Sequence, residues 1–404
     1  MFITLKIKWS MFINRFKIAV YAIYIYILNK FSKKCSNKNV LIIFQQVFGD
    51  SVILLPALEG YIELYHKRRG YDVTMLCLPS IKNFLSDVAD IPEDLKIEVV
   101  DFKKFVNDFK YFKEIVNKYR EFAEISIVAG TSLSAELLST TLCAKERHGL
   151  ISCFRTRWPL QMALFQKLAY SDVLIPPVGS MMIERHGIML RHLGLKEYKG
   201  HISSLLPQEK IVEGRYCVIC PGASTPVKRW GIDRFQIIAD WIIETYDMDI
   251  HLCGGAPEND DAIQLISLSH HSNRIFNHVG KTTFKDWASI VQYASLVVGN
   301  DSATLHIAAA THRKCICITG IYDKFQFFPY KVEELRKGEI LPTTVIVDKS
   351  CAYCRTKGYF AGYGNKMCKA AIAKGSCSLC ISEISVDMVK SAIEKVMVQS
   401  LVRM

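Results

Sequence analysis

Four short segments gather the residue types that transfer of a charged group requires. In Phe48-Gly49-Asp50-Ser51 a lone carboxylate follows a permissive glycine just after an apolar run, a placement suited to a general base. Pro221-Gly222-Ala223-Ser224-Thr225-Pro226-Val227-Lys228-Arg229-Trp230 combines a glycine, two hydroxyls and two cations. A phosphate needs that combination: several donors and a positive charge. Gly254-Gly255-Ala256-Pro257-Glu258 places a carboxylate after a glycine turn, where it can accept bonds from ribose hydroxyls. Gly299-Asn300-Asp301-Ser302-Ala303-Thr304-Leu305-His306 opens a helical run of small residues, Ile307 to Ala310. Free N–H groups at such a helix start attract anions.

Each segment also has a plain structural reading. Asp50 and Ser302 suit helix N-caps, the Lys228-Arg229 loop suits a basic surface turn, and Glu258 suits the positive end of a helix. What separates the readings is where the chain puts these segments.

Val40–Phe44, Val73–Leu78, Ile97–Val100 and Ile125–Val128 read as short buried strands, with helical stretches such as Phe102–Phe122 between them. A polar stretch from His201 to Gly214, broken by Pro207, reads as a linker. The alternation then restarts with strands at Tyr216–Cys220, Asp249–Cys253, Ser295–Val298 and Lys314–Thr319, and a helix over Asp233–Tyr246. Strands alternating with helices imply parallel sheets covered on both faces. The expected class is α/β, with two Rossmann-like doubly wound domains facing a cleft. All four segments would then leave strand ends and point into it. Negative evidence narrows the chemistry. No Gly-x-Gly-x-x-Gly and no Gly-x-Ser-x-Gly occurs, and Gly280-Lys281-Thr282 lacks a P-loop's earlier glycine, because Ile275 stands there.

Taken in order across roughly residues 40–330, the four segments resemble glycosyltransferase family 9, the lipopolysaccharide heptosyltransferase family. The resemblance rests on Gly49-Asp50 with Pro56 and Leu58, Pro221-Gly222-Ala223 with Lys228-Arg229-Trp230, Gly254-Gly255 with Glu258, and Asn300-Asp301-Ser302 with His306-Ala308-Ala309. It implies the GT-B fold and an inverting, metal-independent transfer of a sugar, heptose by family default. The donor would be an ADP-linked sugar, and the acceptor a lipid-linked or lipopolysaccharide-core glycan. Asp50 would be the base and Lys228 the cation that meets the leaving diphosphate, with Ser224 and Thr225 as further donors. Glu258 would hold the ribose, Asp301 the sugar hydroxyls, and Ser302, Ala303 and His306 would complete the donor site. Two positions depart from the pattern: Ala303 stands where glycine is usual, and Gly231 where proline commonly follows the tryptophan. A nucleotide-sugar epimerase, or a non-catalytic glycan-binding scaffold of the same fold, are the competing readings. A scaffold has no need of Asp50, and an epimerase no need of a membrane-seeking N-terminus.

That N-terminus is distinctive. The net charge is +12, yet no acid precedes Asp50, while Lys6, Lys8, Arg15, Lys17, Lys30, Lys33, Lys34 and Lys38 do. These charges flank an apolar run, Ile18–Leu28, which suits an anionic membrane surface better than nucleic acid. The run is short for a span, which needs about 20 residues; an interfacial or anchoring helix is expected first, with a single span or an ordinary first helix packed on the fold as the alternatives. The expected site of action is the cytoplasmic face of the inner membrane, the protein being peripheral or N-terminally anchored.

The expected organisation is a membrane-associating segment at 1–39, an acceptor-side domain at 40–205, a nucleotide-sugar domain at 206–350, and a Cys-rich segment with a closing helix at 351–404. The loop Arg147–Ile175, with Arg147, His148, Arg155, Arg157 and Lys167, would shape acceptor choice. Cys351, Cys354, Cys377 and Cys380, with Cys368 as an alternative, form paired Cys-x-x-Cys units. They suit a structural zinc, an iron–sulfur cluster or plain thiols, 22 residues between the pairs being slightly long for a zinc ribbon.

Overall fold

The apolar run at the start of the first domain forms β1 (Asn39–Ile43), fully buried from Val40 onward. A strand covered on both faces reads as continuous apolar sequence, because neither side meets water. The computed structural model describes residues 20–21, 23–30, 32–130, 132–150, 166–177, 179–320, 326–347 and 376–398. After β1 come α1 (Phe48–Tyr61), β2 (Asp72–Cys77), α2 (Pro79–Val88), β3 (Leu95–Val99), α3 (Phe102–Asn107), α4 (Phe109–Tyr119), β4 (Ile125–Val128), α5 (Leu133–Thr141), β5 (Glu146–Leu150), β6 (Asp172–Leu174) and α6 (Met182–Leu193). The second half runs β7 (Tyr216–Cys220), α7 (Ile232–Tyr246), β8 (Asp249–Leu252), α8 (Asn259–Leu268), β9 (Ile275–Asn277), α9 (Phe284–Gln292), β10 (Leu296–Asn300), α10 (Ala303–Ala310), β11 (Cys315–Ile318), β12 (Thr343–Val345), α11 (Leu379–Ser382) and α12 (Val386–Val398).

Two six-stranded sheets result, ordered β3-β2-β1-β4-β5-β6 and β12-β11-β10-β7-β8-β9. All pairings are parallel. The order reverses beside β1 in one sheet and beside β7 in the other. At such a reversal the connecting helices leave to opposite faces and open a crevice at the carboxyl ends of the strands. The segments after β1, β7 and β10 therefore border crevices by topology.

Local sequence explains several departures from expectation. The helical stretch predicted over 102–122 is two helices. Asp108 adopts an extended backbone between them and caps α4, accepting from the N–H groups of Lys110 and Tyr111 at 2.9 and 3.1 Å. Phe48-Gly49-Asp50-Ser51 is already helical, because α1 begins at Phe48, and the helix carries Pro56 in its interior. Asp50 thus sits in a first helical turn, where the helix dipole favours a carboxylate. The apolar N-terminal run is helical over 23–30. It docks on the first domain: Tyr21 stacks on Phe112 with ring centroids 4.6 Å apart, Ile25 is buried, and Asn29 Nδ2 donates to the Thr140 carbonyl at 2.6 Å. The closing helix α12 buries Val389 and Ile393 in the second domain and packs on α7, β11 and β12; in its described part it stays with that domain.

The two domains meet through apolar contacts next to the crevice. α10 lies against α1, and α9 against α2. Phe48 and Phe84 from the first domain meet Phe284 and Trp287 from the second, with centroids 5.2 to 6.4 Å apart. Offset and edge-on aromatic pairs of this kind add to plain area burial. Phe84 is fully buried at the centre of this cluster. Phe84→Ala is expected to cost about 3–5 kcal/mol, read by urea denaturation; a loss below about 1 kcal/mol would show that the cluster does not hold the domains together.

Candidate active site

The segment after β7 is short and tightly held. A turn of 3-10 helix, Pro226–Lys228, projects the Lys228 side chain inward, where its Nζ lies 2.5 Å from Asp301 Oδ2. Both residues are buried. A buried ion pair requires its charges to be satisfied nearby, which makes this a stiff arrangement. Arg229 turns the other way, to Asp261 Oδ2 at 2.9 Å on the half-exposed rim. Asn300 staples the segments after β7 and β10 together: its Nδ2 donates to the Pro221 carbonyl at 2.6 Å, and its Oδ1 accepts from the Trp230 N–H at 3.1 Å. From behind, Trp230 Nε1 donates to the Ile384 carbonyl at 2.7 Å, and the Ser378 N–H to the Val227 carbonyl at 3.1 Å. The C-terminal tail thus braces the loop that carries Lys228.

The hydroxyls behave unlike ordinary caps. Ser302 precedes α10 but makes no side-chain cap bond, and its Oγ is buried without a protein partner. Thr225 Oγ1 is in the same condition, whereas Ser224 is exposed. Buried hydroxyls are normally satisfied; here two of them flank the cation and the start of α10. Glu258 does cap locally, its Oε2 accepting from the Gly255 N–H at 2.9 Å. Its carboxylate lies where a Gly222 side chain would be: a Cβ on Gly222 would come within 2.1 Å of Glu258 Cδ. Burial raises the Glu258 pKa above its ordinary value.

From the first domain, Asp50 enters buried. Burial is the chief cause that pushes its pKa up to about 6; Asp301 pushes the same way, while Val47 backbone hydrogen bonding and Lys228 pull down. The reason for glycine at 49 is not a sharp turn. Its backbone is helical, and a Cβ there would sit 2.6 Å from His306 Cδ2. Gly49 lets the carboxylate-bearing turn press flat on the His306 ring. Ala303 fits at the α10 start, and its Cα would still be 3.6 Å from such a Cβ. Gly231 has φ +116°, a conformation proline cannot adopt, so the position that departs from the family pattern has its own backbone reason.

His306 has a partner that sequence reasoning did not find. Tyr330 OH bonds to His306 Nδ1 at 2.6 Å, and the ring also stacks on Phe328 at 4.8 Å. Burial lowers the His306 pKa to about 4, so the ring is neutral near pH 7. A neutral ring that accepts the tyrosine hydrogen at Nδ1 carries its own on Nε2, which lies 3.8 Å from Asp301 Oδ1. Nothing in the sequence around Tyr330 marks this contact.

Other expectations fare differently. Arg147 and His148 lie in β5, not in a loop. Arg147 Nε donates to the Ala169 carbonyl at 3.1 Å, and His148 bonds Asp172 Oδ2 at 2.9 Å and Glu146 Oε2 at 3.1 Å. These side chains are engaged by the segment before β6, by β6 itself and by their own strand. Arg155 and Arg157 lie outside the described residues, as do Cys351, Cys354 and Cys368. Cys377 and Cys380 are described, with the Ser378 Oγ 3.3 Å from the Cys380 Sγ. Among the described residues no group of three or more His, Cys, Asp or Glu could hold a metal ion. A separate cavity of about 580 Å³ beside Glu63, Arg68, Glu197, Tyr198 and Arg336 is mixed in charge and lies away from the segments after β1, β7 and β10.

Comparison with known proteins agrees with the crevice geometry. The family model for glycosyltransferase family 9 (heptosyltransferase) matches residues 115–353, more than half of the chain. The chain belongs to glycosyltransferase family 9. Lipopolysaccharide heptosyltransferase 3 of Escherichia coli K12 is 26% identical over 168 residues, 39% of this chain and 49% of that protein. The chain spans about half the length of the curated relatives it matches. The solved structure of E. coli ADP-heptose lipopolysaccharide heptosyltransferase II superposes with a TM-score of 0.61 at 16% identity, covering 90% of this chain and 99% of that one. The E. coli heptosyltransferase WaaC with ADP-2-deoxy-2-fluoro heptose gives 0.58 at 16%, covering 88% and 99%. At these identities the structural likeness shows the fold, the two-domain GT-B arrangement.

Within this family 9 chain the two cations should separate cleanly. Lys228→Ala strips Asp301 of an ammonium at 2.5 Å and is expected to cost on the order of 3 kcal/mol of stability. Arg229→Ala, in a half-exposed pair, should cost about 1 kcal/mol or less. Chemical denaturation of both variants reads the difference; equal costs would mean that the Lys228–Asp301 pair is not structurally special. Tyr330→Phe keeps the stack but removes the His306 contact, and an expected loss of about 1–3 kcal/mol in the same assay checks it.

Proposed function

We propose that this chain is an inverting, metal-independent heptosyltransferase that moves heptose from ADP-heptose to a lipopolysaccharide-core acceptor. The observation that carries the reading is the place of Asp50: buried in the first turn of α1, next to Gly49, which lies against His306 and Ala303 of the helix that follows the Lys228–Asp301 pair. A base whose pKa lies a little below neutral is ionised at pH 7 and still basic enough to share a proton in the transition state. Support for the donor comes from the relatives described as ADP-heptose enzymes and from the chemistry of the crevice.

Asp50 takes the proton of the acceptor hydroxyl. The hydroxyl oxygen forms a bond to the anomeric carbon from the face opposite the leaving group, the bond to the diphosphate oxygen breaks, and the configuration inverts. Negative charge gathers on the departing ADP. Lys228, the Thr225 and Ser302 hydroxyls and the N–H groups opening α10 supply fixed donors where that charge develops. The two hydroxyls make no bond within the protein, so turning to the diphosphate costs them nothing already formed. Glu258 accepts from the ribose hydroxyls through the oxygen not engaged by Gly255. Asp301 offers Oδ1 to the sugar hydroxyls while Lys228 holds its Oδ2. A water-poor crevice strengthens each of these contacts, so no divalent cation is needed to absorb the charge.

The sign of the pH dependence follows from Asp50. The base works only when ionised, and burial has raised its pKa, so kcat/KM should fall as pH drops through about 6 and be full above about 7. Asp50→Asn should lower turnover of ADP-heptose on the order of 100-fold or more, lose that acid limb, and still bind ADP by calorimetry. Retention of more than about a tenth of the activity would remove Asp50 as the base.

A further inference from the structure

The helix at 20–30 is anchored on one side and bare on the other. Tyr21, Ile25 and Leu28 recur at helical spacing and face the fold, and Arg120 Nη2 holds the Leu28 carbonyl at 3.1 Å. The opposite side presents Val20, Ile23, Tyr24, Tyr26 and Ile27, each close to half exposed. Five adjacent large apolar or aromatic residues on one helix face are not the scattered exposure of an ordinary surface. The patch continues onto α4. Phe109 is 48% exposed, its ring lies 6.0 Å from that of Tyr21, and the Lys113 ammonium sits 4.6 Å from it. Lys30 ends the helix, Lys33 follows, and both are exposed; no acid lies in the helix or before it in the chain.

We propose that this face, the bare side of residues 20–30 together with Phe109 and Lys113, seats on an anionic lipid surface, with the helix lying in the membrane plane. Three observations select that occupant. The described helix is held sideways against the first domain by Tyr21, Ile25 and Asn29, so its bare side can meet a membrane only along the surface. Tyrosines and lysines beside aliphatic side chains suit the headgroup boundary, where rings sit at the interface and ammonium groups reach phosphates. A second copy of the chain on this face would bring a second Lys30, Lys33 and Lys113 into the same interface with no acid of the helix to offset them, which charge repulsion disfavours. The bonds on the docked side tie the helix to the acceptor-side domain, so contact with lipid would set the orientation of the whole protein. A long acid-free approach to the helix adds electrostatic attraction worth about 1 kcal/mol per basic residue near the surface.

The inference does not depend on the reaction proposed above, and its test needs no substrate. Full-length protein is sedimented at physiological salt with phosphatidylglycerol–phosphatidylcholine vesicles and with phosphatidylcholine alone. Wild type should pellet with the first and little with the second. Ile23→Ser/Ile27→Ser removes apolar side chains that face solvent, so the melting temperature should stay unchanged while vesicle binding falls about tenfold or more. Lys30→Glu/Lys113→Glu should abolish the preference for phosphatidylglycerol. Absence of wild-type binding would overturn the proposal. So would serine-variant binding equal to wild type, or a wild-type dimer that the serine variant converts to monomer with lipid binding unaltered.

Discussion

The reversal of strand order beside β1 and β7 is the constraint from which the site follows. A parallel strand must be reached by a right-handed crossover, and where the order turns back the crossover helices leave on opposite faces. No loop covers the strand ends there. β10 lies next to β7, so the segments carrying Lys228 and Asp301 are forced side by side, and Asn300 needs only its own amide to lock them. In the other sheet the same reversal leaves the start of α1 uncovered, and Asp50 stands in its first turn. Function here is set less by any one residue than by two crevices brought mouth to mouth.

What brings them together is apolar. Phe48 and Phe84 mesh with Phe284 and Trp287 beside the crevice, while α10 rests on α1. The charged groups are therefore held by neighbours that exclude water rather than by their own attraction. That surrounding explains why burial outweighs the nearby Lys228 in shifting Asp50, and why His306 stays neutral between an acid and a base. It also explains the bracing by the tail: a loop with one buried cation and an unpaired buried hydroxyl, Thr225, has little internal reason to keep its shape, so Trp230 and Val227 tie it to Ile384 and Ser378.

Much of this was legible in the residues. β1, β4 and β7 are runs of buried apolar side chains, and the four chemistry-bearing segments stand out by composition and order. β5, β6, β9 and β12 were not, for a physical reason: β6 and β12 are edge strands of three residues, β9 is an edge strand beginning Ile-Phe-Asn, and β5 starts with Glu146-Arg147-His148. Half-covered strands lose the apolar signature. The candidate residues were nameable, but not their pairings. Lys228 and Asp301 are far apart in the chain, and a tyrosine such as Tyr330 carries no local mark of its contact with His306. The glycine at 49 is visible in the sequence but its reason is not, since a helical glycine chosen for close approach looks there like one chosen for a turn.

That contact between Gly49 and His306 has a meaning for sequence variation. The two positions belong to different domains, yet there is room for a side chain at only one of them. A larger residue at position 49 is compatible with this closed arrangement only beside a smaller one at position 306, so among related chains position 49 should enlarge only where position 306 is smaller. Enlargement on the first-domain side is thus governed by a residue of the second, which ties the inheritance of one half of the crevice to the other.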